Sequence, residues 1–282
     1  MDTHRLNAFP SVAANAISSL ATDELIGKPL HALVFELGGT SFNKSHINSV
    51  RVRVDGKDVV NGISGAQLTD LNEYEGLIDV TNYLVLPFGD PTAKTMKGQH
   101  LGDIDFSIYQ VPIEIEVEIG AATAPTLQVY ALTLPSSKLS LGVGYSEREA
   151  ASFRALVRTI ITPTAAVDRQ TFSVGIGSGA GARIRRIAFF HTNLTSVEFK
   201  KSGFIKHDDV SNALNDAIAQ QFARAPQSGL YVLDRIVDQN QGASEATVDA
   251  NGQPWNLQLA LSTSAGDTIT TFSDLFIPHP LL

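Results

Sequence analysis

Alternation of apolar and polar residues with a period of two dominates the chain. In Ser49–Val54, Val50, Val52 and Val54 share one face while Arg51 and Arg53 share the other, the signature of a half-buried strand. Asp55-Gly56 follows at once and suits the positive backbone angles of a tight hairpin. A return strand is expected from Lys57 to Val60, closed by Asn61-Gly62. His31–Leu37, rich in β-branched and aromatic residues, reads as another strand. The sharpest alternation is Pro112–Ile119, where Ile113, Ile115, Val117 and Ile119 face one way and Glu114, Glu116 and Glu118 the other.

Helical signals are short. Ser64-Gly-Ala-Gln67 has capping-box spacing, so a helix is expected to run on through Leu68, Leu71 and Tyr74. A second is expected over Ser211–Ala223, with Leu214, Ile218 and Phe222 along one face. A third, Ser146–Leu156, opens with Ser146 and Glu149 in the same spacing. Alternating small and apolar residues from Phe9 to Leu20 predict a short strand or an arm lying along a neighbour.

The chain repeats itself. Laid over residues 197–233, residues 50–86 match at Val50/Val197, Gly56/Gly203, Ser64/Ser211, Ala66/Ala213, Val85/Val232 and Leu86/Leu233. About two matches are expected from ordinary residue frequencies. The order strand, strand, short helix, strand, Gly-rich excursion, alternating strand recurs in both halves, the last strand being Ile104–Val111 in one and Trp255–Leu261 in the other. The first half carries a longer loop, Gly38 to Asn48. The pattern predicts an all-β protein with short helices, a tandem double jelly roll of two eight-stranded β-sandwich barrels. Other barrels and immunoglobulin-like sandwiches stay open on pattern alone. The expected domains are 1–140 and 141–282, the boundary falling between Pro135 and Ile161.

Composition narrows the chemistry. The 282 residues suffice for two ordinary domains, and no run reaches the roughly 20 apolar residues of a bilayer span. No basic region followed by an apolar core opens the chain, so no secretory signal is expected. The absence of cysteine excludes disulfides and thiol chemistry. A net charge of −8 disfavours direct binding to nucleic acid. The basic run Arg183-Ile-Arg185-Arg186 is expected at an exposed strand edge or subunit contact.

Candidate sites are sparse, and no catalytic residues are assigned. The seven histidines stand far apart, which argues against a cupin-type metal centre. His207-Asp208-Asp209 reads as a solvated loop before the second helix, and Gly175-Ile-Gly177-Ser-Gly179-Ala-Gly181 as a turn without the Lys-Ser/Thr of a phosphate loop. Three carboxylates on one strand face need water, basic partners or a cation, so Glu114, Glu116 and Glu118 are candidate ligands for a structural Ca²⁺. Asp103 and Asp105 allow the same reading.

Three segments carry a family resemblance. Ile26-Gly-Lys-Pro-Leu-His-Ala-Leu-Val-Phe-Glu-Leu-Gly-Gly-Thr40, Ile47-Asn-Ser-Val-Arg-Val-Arg-Val-Asp-Gly-Lys57 and Ser64-Gly-Ala-Gln-Leu-Thr-Asp-Leu-Asn72 resemble the N-terminal domain of corticovirus-type major capsid proteins. The resemblance spans about residues 20–110 and reaches the second half through the repeat. It implies a double jelly-roll subunit in a pseudo-hexagonal homotrimer, tiling an icosahedral shell over the internal membrane of a tailless bacteriophage. Implied partners are neighbouring capsomers, a penton protein and membrane proteins, without direct nucleic-acid contact. The implied location is the virion, after assembly in the host bacterial cytoplasm. The competing reading is a jelly-roll receptor- or carbohydrate-binding phage protein. It lacks an aromatic platform, because the single tryptophan, Trp255, alternates with Leu257, Leu259 and Leu261 and is expected in a buried strand.

Overall fold

A computed structural model describes residues 1–108, 110–172 and 181–278. The first half contains β1 (Asp2–Arg5), β2 (Ala16–Thr22), β3 (Pro29–Gly38), β4 (Ile47–Val54), β5 (Lys57–Ile63), α1 (Gly65–Tyr74), β6 (Tyr83–Pro87), α2 (Met96–His100), β7 (Ile104–Asp105), β8 (Ile113–Ile119) and β9 (Thr126–Thr133). After α3 (Glu147–Ala150), the second half contains β10 (Ser152–Ile161), β11 (Val167–Phe172), β12 (Arg183–Phe190), β13 (Leu194–Lys201), β14 (Phe204–Ser211), α4 (Asn212–Gln221), β15 (Leu230–Asp234), β16 (Glu245–Ala246), β17 (Leu257–Thr263) and β18 (Ile269–Pro278).

Each half is a sandwich of two four-stranded sheets. The first half has the orders β1-β9-β3-β6 and β5-β4-β8-β2; the second has β15-β12-β18-β10 and β11-β17-β13-β14. The short strands β7 and β16 pair with β3 and β12. These are the two interleaved sheets of a jelly roll, twice over. A parallel bridge, Leu156 to Val60, joins β10 to β5, so one sheet of each half runs into the other.

Local chemistry accounts for the elements. Val50, Val52 and Val54 of β4 and Ile113, Ile115, Val117 and Ile119 of β8 are all buried. Asp55 and Gly56 take φ of 52° and 73° in the β4–β5 hairpin, the two positive angles that a tight turn needs. Ser64 Oγ accepts from the Gln67 amide at 3.2 Å and Gln67 Oε1 from the Ser64 amide at 3.1 Å, closing the expected capping box of α1.

The repeat holds at the level of elements. β4 and β13, α1 and α4, and β6 and β15 have equal lengths and start 147 residues apart. Even an irregularity recurs: β3 bulges between Leu30 and Ala32 against β9, and β12 bulges between Ile184 and Arg186 against β18.

Three expected elements differ. The Ser146 capping box forms, but its helix stops at Ala150 and residues from Ser152 enter β10. The ten-residue pairing of β10 with β18 outweighs a weak local helix preference, as tertiary pairing often does. Among its described residues, Ile104–Val111 contributes only the two-residue β7. Trp255 precedes β17, is 37% exposed, and has the Lys201 ammonium 4.6 Å above its ring; the buried strand begins at Leu257.

Candidate assembly interface

The joint between the sandwiches is built from charge. Arg185 and Arg186, expected at an exposed edge, lie on the interior strand β12, between β15 and β18, and are 0% and 2% exposed. Strict alternation would send consecutive side chains to opposite faces. The bulge breaks that rule: Ile184 faces Leu275 and Arg186 faces Asp274, leaving Arg185 as the extra residue. Both guanidinium groups therefore reach one cluster.

That cluster holds four guanidinium groups, Arg154, Arg185, Arg186 and Arg224, and four carboxylates, Glu75, Asp90, Asp234 and Asp274. Arg154 grips Asp274 through Nε and Nη2, both at 3.0 Å, reaches Glu75 Oε1 at 2.7 Å, and donates to the Pro87 carbonyl at 3.0 Å. Arg186 lies 2.9 Å from Glu75 and 3.1 Å from Asp234. Arg185 donates to Asp90 at 2.8 Å, and Gln241 to the same oxygen at 2.6 Å. Burial alone would raise the Asp90 and Asp274 carboxyls; the facing arginines overcome it and hold both below the usual range.

The two halves contribute unequally. Glu75 and Asp90 come from the first sandwich, whereas the second supplies all four arginines and two aspartates. Separated, each half would carry two uncompensated charges of opposite sign. Such groups are costly to bury alone, and the buried joint is neutral only with both halves in place.

The connecting segment is pinned as well. The buried Lys138 ammonium donates to the carbonyls of Leu101, Asp103 and Ser152 at 2.9, 3.0 and 2.6 Å. Burial lowers its pKa to about 8, against the opposing pull of Asp103 and Asp105. Beside it the fold gathers two of the distant histidines: His31 Nδ1 and His100 Nδ1 lie 2.8 and 3.0 Å from the two oxygens of Asp103. The separation of histidines expected from sequence spacing fails here because β7 pairs with β3 next to His31. Both Asp103 oxygens are satisfied by imidazole. Gly89 is required there, since a Cβ would lie 2.2–2.6 Å from His31 and Asp103 atoms.

The remaining sequence candidates fall elsewhere. Glu114 and Glu116 lie on the outer face of β8, where Arg53 and Arg51 of β4 stand opposite at 3.2 and 3.4 Å. Glu118 is exposed opposite Ser49. Asp103 and Asp105 are buried and carry structural hydrogen bonds, Asp105 accepting from the Lys138 amide at 2.7 Å. His207, Asp208 and Asp209 form part of β14 and not a loop. His207 Nε2 meets the Tyr231 hydroxyl at 2.6 Å, and burial lowers its pKa to about 4. The first six residues of the Gly175–Gly181 run lie outside the described residues.

Among the described residues, apolar surface stays open on both halves. Leu214, Ile218 and Phe222, the expected apolar face of α4, point outward; Ile218 is 39% exposed although its counterpart Leu71 is 5% exposed. On the first sandwich, a mainly apolar groove of about 340 Å³ is lined by Met1, Ala32, Leu132, Ile78 and Tyr83, with His31 and the paired Lys44 and Asp79 at its wall.

Sequence-family models match almost the whole of this architecture. Residues 3–135 match the viral coat protein P2 N-terminal domain and residues 155–276 the viral coat protein P2 C-terminal domain. The chain belongs to the viral coat protein P2 family. A search of curated proteins found no match. The fold of this coat protein is shared with the major capsid protein P2 of bacteriophage PM2, at TM-score 0.79 and 19% identity over 100% of this chain and 99% of that one. A chain of Sulfolobus Turreted Icosahedral Virus aligns at TM-score 0.68 and 12% identity, over 99% and 91% of the two chains. A chain of the PBCV-1 virus capsid aligns at 0.53 and 10%, over 98% and 94%. The coat protein is thus a double jelly-roll component of a viral capsid.

Sequence reading missed Glu75, Asp90, Arg154, Arg224, Asp234 and Asp274. A signal was present: Arg154 and Asp274 interrupt the apolar runs Phe153–Val157 and Phe272–Ile277. Charged residues inside such runs are paired when buried.

Proposed function

We propose that this coat protein is the major capsid protein of a tailless, internal-membrane bacteriophage, assembling as a pseudo-hexagonal homotrimer in the host bacterial cytoplasm. Its partners in the virion are then neighbouring capsomers, a penton protein and membrane proteins. The observation that carries the reading is the duplicated sandwich, matched down to its bulges, with matching strand edges left free at its two ends among the described residues. Two similar units per chain let three chains approximate six-fold packing. The acidic balance supports a shell held away from the genome by a membrane.

Sedimentation equilibrium tests the proposal. A particle of three times the 30.2 kDa chain mass is expected, with pseudo-hexagonal outlines in negative stain. A monodisperse monomer at high concentration and physiological salt would overturn it. Within this reading, a structural Ca²⁺ at Glu114, Glu116 and Glu118 is a secondary proposal. Arg51 and Arg53 already neutralise two of these carboxylates, which leaves Glu118 as the principal ligand. A chelator should then lower capsomer stability in the parent protein and leave the Glu118→Gln variant unaffected.

A further inference from the structure

Strand registers extend the repeat past its 147-residue core. Val34 pairs with Val85 and Tyr130, and Ala188 pairs with Val232 and Phe272. Val85 and Val232 correspond, so Tyr130 corresponds to Phe272. Their outer partners are Arg5 and Arg158. Strand β1 is therefore the counterpart of β10, and Met1, Ala32 and Leu132 stand where the second half has Arg154, Arg186 and Asp274.

Within one chain, the β5 edge and the end of α1 meet β10, and Glu75 enters the socket of Arg154, Arg186 and Asp274. The counterparts of β5 and β10, β14 and β1, are terminal strands whose outer edges pair with nothing among the described residues. The counterpart of Glu75 is the half-exposed Phe222. The counterpart of its socket is the apolar groove of Met1, Ala32 and Leu132. Apolar side chain and apolar groove occupy matching positions, as acid and base do in the internal joint.

A second correspondence agrees. In the internal joint, a Cβ on Gly62 would lie 3.4 Å from Arg158 Nη1. The counterparts of Gly62 and Arg158 are Asp209 and Arg5, a complementary pair. Asp209 and Gly62 share a positive φ, 46° and 68°.

We propose that β14 and α4 of one copy dock on β1 of a second copy, with Phe222 in the Met1–Ala32–Leu132 groove and Asp209 facing Arg5. The interface is head-to-tail, and it closes a ring when the rotation permits. It rests on the capsid reading and assigns that reading its contact residues and their apolar character.

The test combines Phe222→Glu, Leu132→Arg and the double variant, with sedimentation as readout and thermal melting to confirm folding. Each single variant should melt near the parent and weaken assembly at least about tenfold, the loss typical of an interface anchor. In the double variant the introduced carboxylate and the introduced guanidinium face each other across the joint, much as Glu75 and Arg154 do inside the chain, and assembly should recover. A folded Phe222→Glu protein that assembles like the parent would overturn the proposal. So would a double variant no better than either single one, which would seat Phe222 elsewhere. A parent that is itself monomeric would instead overturn the capsid reading.

Discussion

Glu75 and Asp90 sit where the loss of one carboxylate leaves the buried cluster with an uncompensated positive charge. Glu75→Ala leaves Arg154 with Asp274 and Arg186 with Asp234 but gives the dry cluster one uncompensated positive charge, and loss of one member of a buried pair costs about 3–5 kcal/mol. Glu116→Ala removes a partly exposed partner of Arg51 and should cost under about 1 kcal/mol. Urea titration of the two variants against the parent should separate them by that margin. His207 gives a pH dependence of known sign. Its folded pKa is about 4, below the ordinary 6.5, so the unfolded chain binds more protons between those values. Stability from this residue is present above pH 6.5 and declines as the pH falls toward 4. Asp90 and Asp274, with depressed folded values, lose their contribution only below the ordinary carboxylate value of 3.8. Denaturation of His207→Gln against the parent at about pH 4, 5.5 and 7 should show the difference changing between the upper points; a constant difference would refute the assignment. None of this was legible locally. Arg185 and Arg186 look like surface residues until a bulge, invisible to a period-two pattern, turns both inward.

At the scale of elements, legibility follows the range of the forces involved. The Asp55-Gly56 hairpin, the capping box of α1 and the alternation of β4 and β8 depend on neighbours within a few residues, and each stands where the pattern placed it. The helix drawn over Ser146–Leu156 failed because its second half is claimed by β18, more than a hundred residues away. The apolar stripe of α4 lies along one face as its spacing predicts, and that face is exposed. In the first half, the turn at Lys44–His46 within the longer loop packs on α1; the second half lacks that loop. Gly89 tests how tightly such long-range geometry is fixed. Gly89→Ala places a methyl against His31 and Asp103, and overpacking of this kind costs about 1–3 kcal/mol. A lowered melting temperature is expected, and an unchanged one would mean that the imidazole–carboxylate cluster yields easily.

For the whole molecule, the shared charge cluster and the β5–β10 bridge make the two sandwiches one cooperative unit. Calorimetry should record one transition with equal van't Hoff and calorimetric enthalpies. The Glu75→Ala, Asp90→Ala double variant should broaden or divide it. Two transitions in the parent would show the halves to be energetically separate. The duplication itself was readable in six matched residues. The different chemistry of its two joints was not, because it lies in which counterparts have diverged, Glu75 against Phe222 and Arg186 against Ala32.

That divergence lets a chain distinguish itself from its neighbours. If the two joints were alike, the first half of one molecule could fold onto the second half of another, and a concentrated pool of nascent chains would string together without end. A phenylalanine in place of Glu75 would leave the arginine-rich socket short of one negative charge, and an oily groove disfavours a bare carboxylate. Each half is thereby matched to its own sequel in the chain by charge, while the proposed contact with the next molecule is matched by apolar surface.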